Sequence, residues 1–133
     1  MPTIMPTELL AIEIFDWTSP NGKCQISFAT TSMLIAMRTG KLPYEEILSP
    51  MDPEFVRDWL PGRIDNMNYV RKLSAQRLAE PLVGVWMAAG TVLLIDGAHR
   101  YMANWLQDPL RLLSWRLVSL FDWTKYATIR GRL

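Results

Sequence analysis

The sequence predicts an α+β fold, a small mixed sheet packed with helices, in a single domain over residues 1–133. Short apolar runs rich in Val, Leu and Ile, which are typical of strands, alternate with segments of helical period. Clusters of Gly, Pro, Asn and Asp separate these segments, as expected for turns. A chain of 133 residues can bury a core of its own, and no linker-like or low-complexity segment divides it.

The N-terminal part predicts a hairpin followed by a helix. Strands are expected over Leu9 to Trp17 and Lys23 to Ala29, because Ser19-Pro20-Asn21-Gly22 between them is a strong turn sequence. Thr30 to Arg38 then has hydroxyl residues for its cap and Gly40 just after its end, which favours a helix. Cys24 falls within the apolar alternation of the second strand, so we predict a buried thiol without chemistry.

The middle of the chain predicts helices. Pro43 to Leu48 is expected to form one or two helical turns. At Asp52-Pro53-Glu54 a cap, an N1 proline and a first-turn acid coincide, which predicts a helix that ends at Pro61-Gly62. A further helix is predicted over roughly Asn68 to Ala79.

The last part predicts strands around one central helix. Leu82 to Met87 and Thr91 to Ile95 are expected to be strands joined by a tight turn. A helix from Ala98 to Gln107 and a last strand near Leu112 to Leu120 complete the predicted fold.

The composition limits the cellular compartment and the binding partners that we expect. A formal net charge of +1 gives no argument for nucleic acid, so such binding would need a local patch. The single cysteine excludes an internal disulfide and fits a reducing compartment, and neither a secretory signal nor a membrane-length apolar stretch is evident. We therefore expect a cytoplasmic protein without membrane contact. Half of the residues are hydrophobic, which predicts a homo-oligomeric or partner surface.

The junction between the strand ending at Ile95 and the helix beginning at Ala98 is the candidate site. The first N–H groups of a helix lack internal partners, so a phosphate can accept hydrogen bonds from them while the macrodipole favours its charge. Gly97 allows a ligand to approach the backbone, and His99 and Arg100 add donors in the first turn. Cations are unfavourable at a bare helix N-terminus, which indicates an anionic ligand there.

The segment Asp96-Gly97-Ala98-His99-Arg100-Tyr101-Met102-Ala103 resembles the ParB/sulfiredoxin-like superfamily. Members carry a strand, a Gly-x-His-Arg or Gly-x-Arg-Arg turn, and a helix that often continues Tyr-x-Ala. The resemblance covers roughly residues 74 to 120. It implies that the turn holds the phosphates of ATP or CTP, with Gly97, Ala98, His99 and Arg100 as nucleotide-binding residues.

Differences between this turn and the turns of individual family branches indicate which branch the chain resembles. Sulfiredoxins have their catalytic cysteine where this chain has Ala98, so sulfinic acid reduction is not expected. Chromosome-segregation members have a Glu there and a helix-turn-helix afterwards, and this chain has neither. The Asp-Gly-x-His-Arg form is similar to ParB-like nucleases, ATPases and kinases. This similarity implies catalytic roles for Asp96 and His99, and Asp96 is the obvious protein ligand for a Mg²⁺ ion.

Each of these assignments has an alternative. Asp96 would also serve as a helix cap, and His99 as a packed, half-buried ring. The basic segment from Arg63 to Arg77 is either a solvated helix face or a rim that guides a nucleotide or nucleic acid. Two functions follow. One is a nucleotide-binding protein that hydrolyses ATP or cleaves nucleic acid at the turn. The other is a non-catalytic interaction or inhibitor module of a mobile element, which keeps the fold and binds another protein.

Overall fold

The computed structural model describes residues 13–88 and 90–131, and these fall into two compact units. One unit combines the chain up to Pro43 with the chain from Phe121 onward, and the other is Tyr44–Leu120. Helices pack with sheets in an α+β arrangement, as predicted, but the described residues form two small sheets where we expected one. The single domain over residues 1–133 stays a prediction.

The elements follow one another along the chain. The strands are β1 (Phe15–Thr18), β2 (Cys24–Phe28), β3 (Glu45–Pro50), β4 (Leu82–Trp86), β5 (Val92–Asp96), β6 (Leu112–Val118) and β7 (Ala127–Gly131). The helices are α1 (Thr30–Arg38), α2 (Pro53–Asp58), α3 (Met67–Lys72), α4 (Ala75–Leu78), α5 (Ala98–Gln107) and α6 (Leu120–Trp123). Two 3-10 turns span Leu60–Arg63 and Thr124–Tyr126.

The first unit contains the predicted hairpin. Strands β1 and β2 pair antiparallel, and in the turn between them the N–H of Gly22 donates to the carbonyl of Ser19 at 2.8 Å. Gly22 has a φ of 72°, a left-handed conformation that glycine adopts without a Cβ penalty. Residues 9–12 of the first predicted strand lie outside the described residues.

A third strand and a helix complete this unit. Strand β7 pairs antiparallel with β2, which gives the order β1-β2-β7, and it has no counterpart among the predicted strands. Helix α1 occupies the predicted residues, and Gly40 follows its end with a φ of 77°. The ring of Phe28 packs on that of Trp123, with a centroid separation of 5.0 Å.

The second unit is built on a four-stranded mixed sheet with the order β3-β6-β4-β5. Strands β4 and β6 run parallel, and the other neighbours are antiparallel. Strand β3 shows that the prediction of helical turns over Pro43 to Leu48 is wrong. Pairing with β6 stabilises an extended backbone there, although the local residues Glu45 and Glu46 are good helix formers.

The prediction of one long helix over Asn68 to Ala79 is also wrong, since the chain forms two short helices, α3 and α4. Leu73 between them is extended, with φ −64° and ψ 130°. Ser74 then caps α4, because its Oγ accepts from the N–H of Arg77 at 3.2 Å. A serine that bonds the backbone in this way competes with helix continuation.

Helix α2 begins as predicted. The carboxylate of Asp52 accepts from the N–H of Glu54 at 2.9 Å, and Pro53 stands in the first turn. The N–H of Asp52 also donates to the hydroxyl of Tyr101 at 2.8 Å, so the start of α2 is tied to α5. The core between sheet and helices includes Leu60, Val70, Leu78, Leu82, Leu94, Tyr101 and Leu113. This packing fixes α5 against the sheet and so positions the β5–α5 turn.

Within the described ranges, no helix is long and apolar enough to cross a membrane.

Cys24 provides a test of the first unit. Its side chain is fully buried and its N–H donates to Ser19 Oγ at 3.0 Å, so we expect the native thiol to resist alkylation at neutral pH. Cys24→Ser should lower the free energy of unfolding by about 1–3 kcal/mol, because a hydroxyl replaces a buried sulfur. Maleimide labelling with and without urea and a urea titration measure both effects. Rapid labelling of the folded protein would contradict the assignment.

Candidate functional site

Helix α5 begins at a glycine in the turn that follows β5. Asp96 is the last residue of β5, and Gly97 occupies the N-cap position with φ 109° and ψ 17°. No side chain caps the ten-residue helix that follows, so the alternative of Asp96 as its cap is wrong. The helical bonding starts with the N–H of Tyr101, which donates to the carbonyl of Gly97 at 2.8 Å. The backbone thus presents a helix N-terminus without a side-chain acceptor.

Only glycine fits at position 97. The left-handed φ disfavours any residue with a Cβ. An added Cβ would also lie 2.5 Å from Leu82 Cδ2 and 3.0 Å from Arg100 Nη2. Gly97 therefore lets the Arg100 side chain fold back against the turn.

Arg100 lies buried beside the turn rather than projecting from it. Its Nη2 donates to Asp96 Oδ2 at 3.1 Å and to the carbonyl of Pro81 at 3.0 Å. The exposed side-chain fractions are 10% for Arg100 and 24% for Asp96, so this is a largely buried ion pair. Among the described residues, Nε of Arg100 is a buried polar atom without a hydrogen-bond partner. The predicted phosphate donor is thus already engaged with the predicted catalytic acid.

A second guanidinium lies near this pair. Arg63 Nη1 donates to the carbonyl of Leu94 in β5 at 2.6 Å. Burial lowers the pKa of Arg63, and the negative charge of Asp96 opposes that shift. Arg63, Asp96 and Arg100 form what we call the cationic cluster, two guanidiniums and one carboxylate. Sequence reasoning assigned Arg63 only to a basic segment, because nothing local shows that the segment returns to β5.

His99 is placed at the edge of the turn by residues from another segment. Its Nε2 lies 2.9 Å from Asp65 Oδ1, and its ring meets that of Tyr69 edge-on at 5.4 Å. Asp65 has 90% of its side chain exposed, so this pair is at the surface. The ring is both packed, as one alternative held, and partly accessible. Asp65 was not among the predicted site residues, although it is the acid within the Arg63 to Arg77 segment.

The rest of that basic segment is mainly solvated. Arg71 and Lys72 are exposed. Arg77 forms an ion pair with Glu80 at 2.8 Å and donates to the hydroxyl of Tyr69 at 3.4 Å. This part of the segment therefore behaves as an ordinary helix surface, and only Arg63 enters the cationic cluster.

The surroundings of Asp96 do not fit a resident divalent cation. One of its oxygens accepts from Arg100, and the charge of Arg63 acts on the same carboxylate. Over residues 13–88 and 90–131, no three His, Cys, Asp or Glu side chains are grouped so that they would hold a metal. A Mg²⁺ ion at this turn would have to be carried by the phosphates of a nucleotide.

Comparison with known proteins finds no family model, curated protein or solved structure that matches the chain. The resemblance to the ParB/sulfiredoxin-like superfamily therefore rests on the residues of the turn and on its strand-turn-helix context.

The ion pair gives the site a test that is independent of any ligand. Asp96→Asn should lower the free energy of unfolding by about 1–3 kcal/mol, the range for a hydrogen bond to a charged group, because Arg100 loses its anionic partner. Asp65→Asn is the matched control at an exposed position and should change stability by less than about 0.5 kcal/mol. Urea unfolding of the wild type and of both variants measures these changes. Equal stabilities of the wild type and Asp96→Asn would show that the Asp96–Arg100 pair contributes nothing to the free energy of unfolding.

Proposed function

We propose that this chain is a ParB/sulfiredoxin-like nucleotide-binding protein that holds the phosphates of ATP or CTP at the β5–α5 turn. The observation that carries the proposal is the N-terminus of α5, which begins at a left-handed glycine without a side-chain cap and has the cationic cluster beside it. Backbone N–H groups and the helix macrodipole would neutralise phosphate charge from one side. Arg63 and Arg100 would contribute positive charge from the other.

The chemistry that suits such a turn is hydrolysis of a phosphoanhydride or a phosphodiester. Water attacks phosphorus, the bond to the leaving oxygen breaks, and His99 takes the proton from the water. Asp65 would hold the His99 ring in place through its bond to Nε2. Arg100 would exchange part of its bond with Asp96 for a phosphate oxygen, because a guanidinium binds both anions in the same geometry. ATP hydrolysis and nucleic-acid cleavage are the two reactions of this class.

Calorimetric titration with ATP, CTP and their diphosphates, with and without Mg²⁺, tests the proposal. Arg100→Lys keeps the charge but removes the planar fork, and it should weaken binding by about 1.5–3 kcal/mol. Arg116→Lys is the matched control, since Arg116 pairs with Glu46 on the exposed edge of the sheet. Circular dichroism confirms that both variants fold. Absence of nucleotide binding, or equal affinities in wild type and Arg100→Lys, would refute the proposal.

A second candidate function is protein binding, as in an interaction or inhibitor module of a mobile element. The observation that favours it is a set of exposed leucines on the second unit. Leu48 on the edge strand β3 is 69% exposed, Leu112 on the neighbouring strand β6 is 56% exposed, and Leu110 is 89% exposed. Leu48 and Leu112 line one side of a cleft of about 460 Å³. Exposed apolar side chains on an edge strand favour pairing with another chain.

Self-association is the direct test of this surface. We expect light scattering to show a mass that rises with protein concentration, and Leu48→Lys to abolish that rise, because a charge on the edge strand opposes pairing. Ile14→Lys is the control, since Ile14 is exposed to a similar extent, 62%, in the other unit. A constant monomer mass would exclude self-association.

A further inference from the structure

We infer that a second cleft in Tyr44–Leu120 binds a flat, amino-bearing heterocycle, the base of the nucleotide whose phosphates lie at the turn. The inference rests on the proposed function and identifies the base-binding site. The cleft has a volume of about 220 Å³ and lies among β3, β5, β6, α2 and α5. Three aromatic residues line it, Phe55, Tyr101 and Trp115. A site of this kind, mostly apolar with a few polar groups, is typical of small-ligand binding.

The aromatic rings are arranged so that they do not stack on one another. The rings of Phe55 and Tyr101 are 5.1 Å apart at an angle of 62°, and those of Tyr101 and Trp115 are 6.3 Å apart at 75°. Trp115 and Phe55 are only partly buried, so a planar ligand can reach them. Stacking on an aromatic face suits any nucleobase.

Gly84 on β4 makes room for this cleft. A Cβ at position 84 would lie 2.7 Å from Val92 Cγ1, 3.0 Å from Trp115 Cζ3 and 3.1 Å from Leu117 Cδ2. All three of those residues line the cleft. Gly84 does not have a positive φ, so the steric contact is the structural reason for a glycine here. Any side chain would push the cleft wall into the space that the ligand needs.

Two polar groups give the cleft a preference for a ligand that carries an amine. The hydroxyl of Tyr101 accepts from the N–H of Asp52 and carries a proton to donate at neutral pH, and burial, which raises the pKa of Tyr101, acts in the same direction. Asp52 uses Oδ1 to cap α2, and a carboxylate has further acceptor sites on both oxygens. The site thus offers an anionic acceptor to a ligand amine. Adenine and cytosine carry an exocyclic amine, whereas uracil presents a carbonyl oxygen at the corresponding position.

The cleft and the turn share two elements, β5 and α5. Leu94, which lines the cleft, is two residues before Asp96 in β5, a separation of about 6.6 Å along a strand. Tyr101, which also lines it, follows Arg100 in α5. A ligand that occupies both places therefore contacts the end of β5 and the first turns of α5.

Titrations with adenosine, uridine and ATP test this inference by calorimetry. We expect adenosine to bind at least about tenfold more tightly than uridine, the effect of one hydrogen bond to a charged group. Gly84→Ala should weaken adenosine and ATP alike, and Gly62→Ala is the control, because an added Cβ at Gly62 meets no atom within 4 Å. Asp52→Asn keeps a good helix cap and should reduce the preference for adenosine over uridine.

The outcomes separate this inference from the proposed function. ATP binding that Arg100→Lys weakens, and that Gly84→Ala and Asp52→Asn leave unchanged, would refute the cleft as the base site and keep the phosphate site. Adenosine binding that depends on Gly84 and Asp52, with ATP no tighter and no effect of Arg100→Lys, would support the cleft as a site for a free heterocycle and refute the phosphate site. Equal affinity for adenosine and uridine, or no binding of either, would refute the cleft.

Discussion

The largely buried ion pair between Asp96 and Arg100 is the interaction on which the rest of the second unit depends. It joins the last residue of β5 to the first turn of α5, and the second bond from Arg100 reaches the carbonyl of Pro81, just before β4. A buried guanidinium is costly to desolvate unless its partners are in place. Gly97 is required for the same reason, since a side chain there would occupy the space of Arg100. These bonds act together with the core packing around Tyr101 to hold the first turn of α5 against β5 and the residue before β4.

The ion pair between Asp96 and Arg100 also affects how the turn would bind an anion. Asp96 and a phosphate would share the guanidinium of Arg100, because its Nη2 serves Asp96 while its buried Nε has no hydrogen-bond partner among the described residues. The backbone N–H groups of α5 and the positive charge that Arg63 brings to the cationic cluster would add to the contribution of Arg100. The ion pair with Asp96 distinguishes this turn from a site with a solvent-exposed arginine, in which the guanidinium has no protein partner before an anion binds.

Strand β3 connects the two proposed functions. Its Ile47 and Ser49 line the cleft that contains Phe55, Tyr101 and Trp115, and Leu48 between them lines the larger cleft together with Leu112. Alternate residues of a strand point to opposite faces of the sheet, so one short strand serves both surfaces. Because β3 is an edge strand, its outer backbone groups are also placed for pairing with another chain. A partner on β3 would therefore lie next to residues that line the cleft with the three aromatic side chains.

The sequence by itself determined the features that depend on residues adjacent in the chain. The turn at Ser19 to Gly22 and the start of α2 at Asp52 were predicted because capping and turn chemistry are local, and α5 was predicted because its residues have a helical period. The sequence also located the glycine turn with its acid, histidine and arginine. Only the tertiary structure decided that β3 and β7 are strands, because distant pairing overrode local helical preference in β3 and gave β7 its partner. It likewise decided that Arg100 turns inward to Asp96, that His99 meets Asp65 and that Arg63 returns to β5, because these contacts depend on how side chains pack in three dimensions, which residue spacing does not specify.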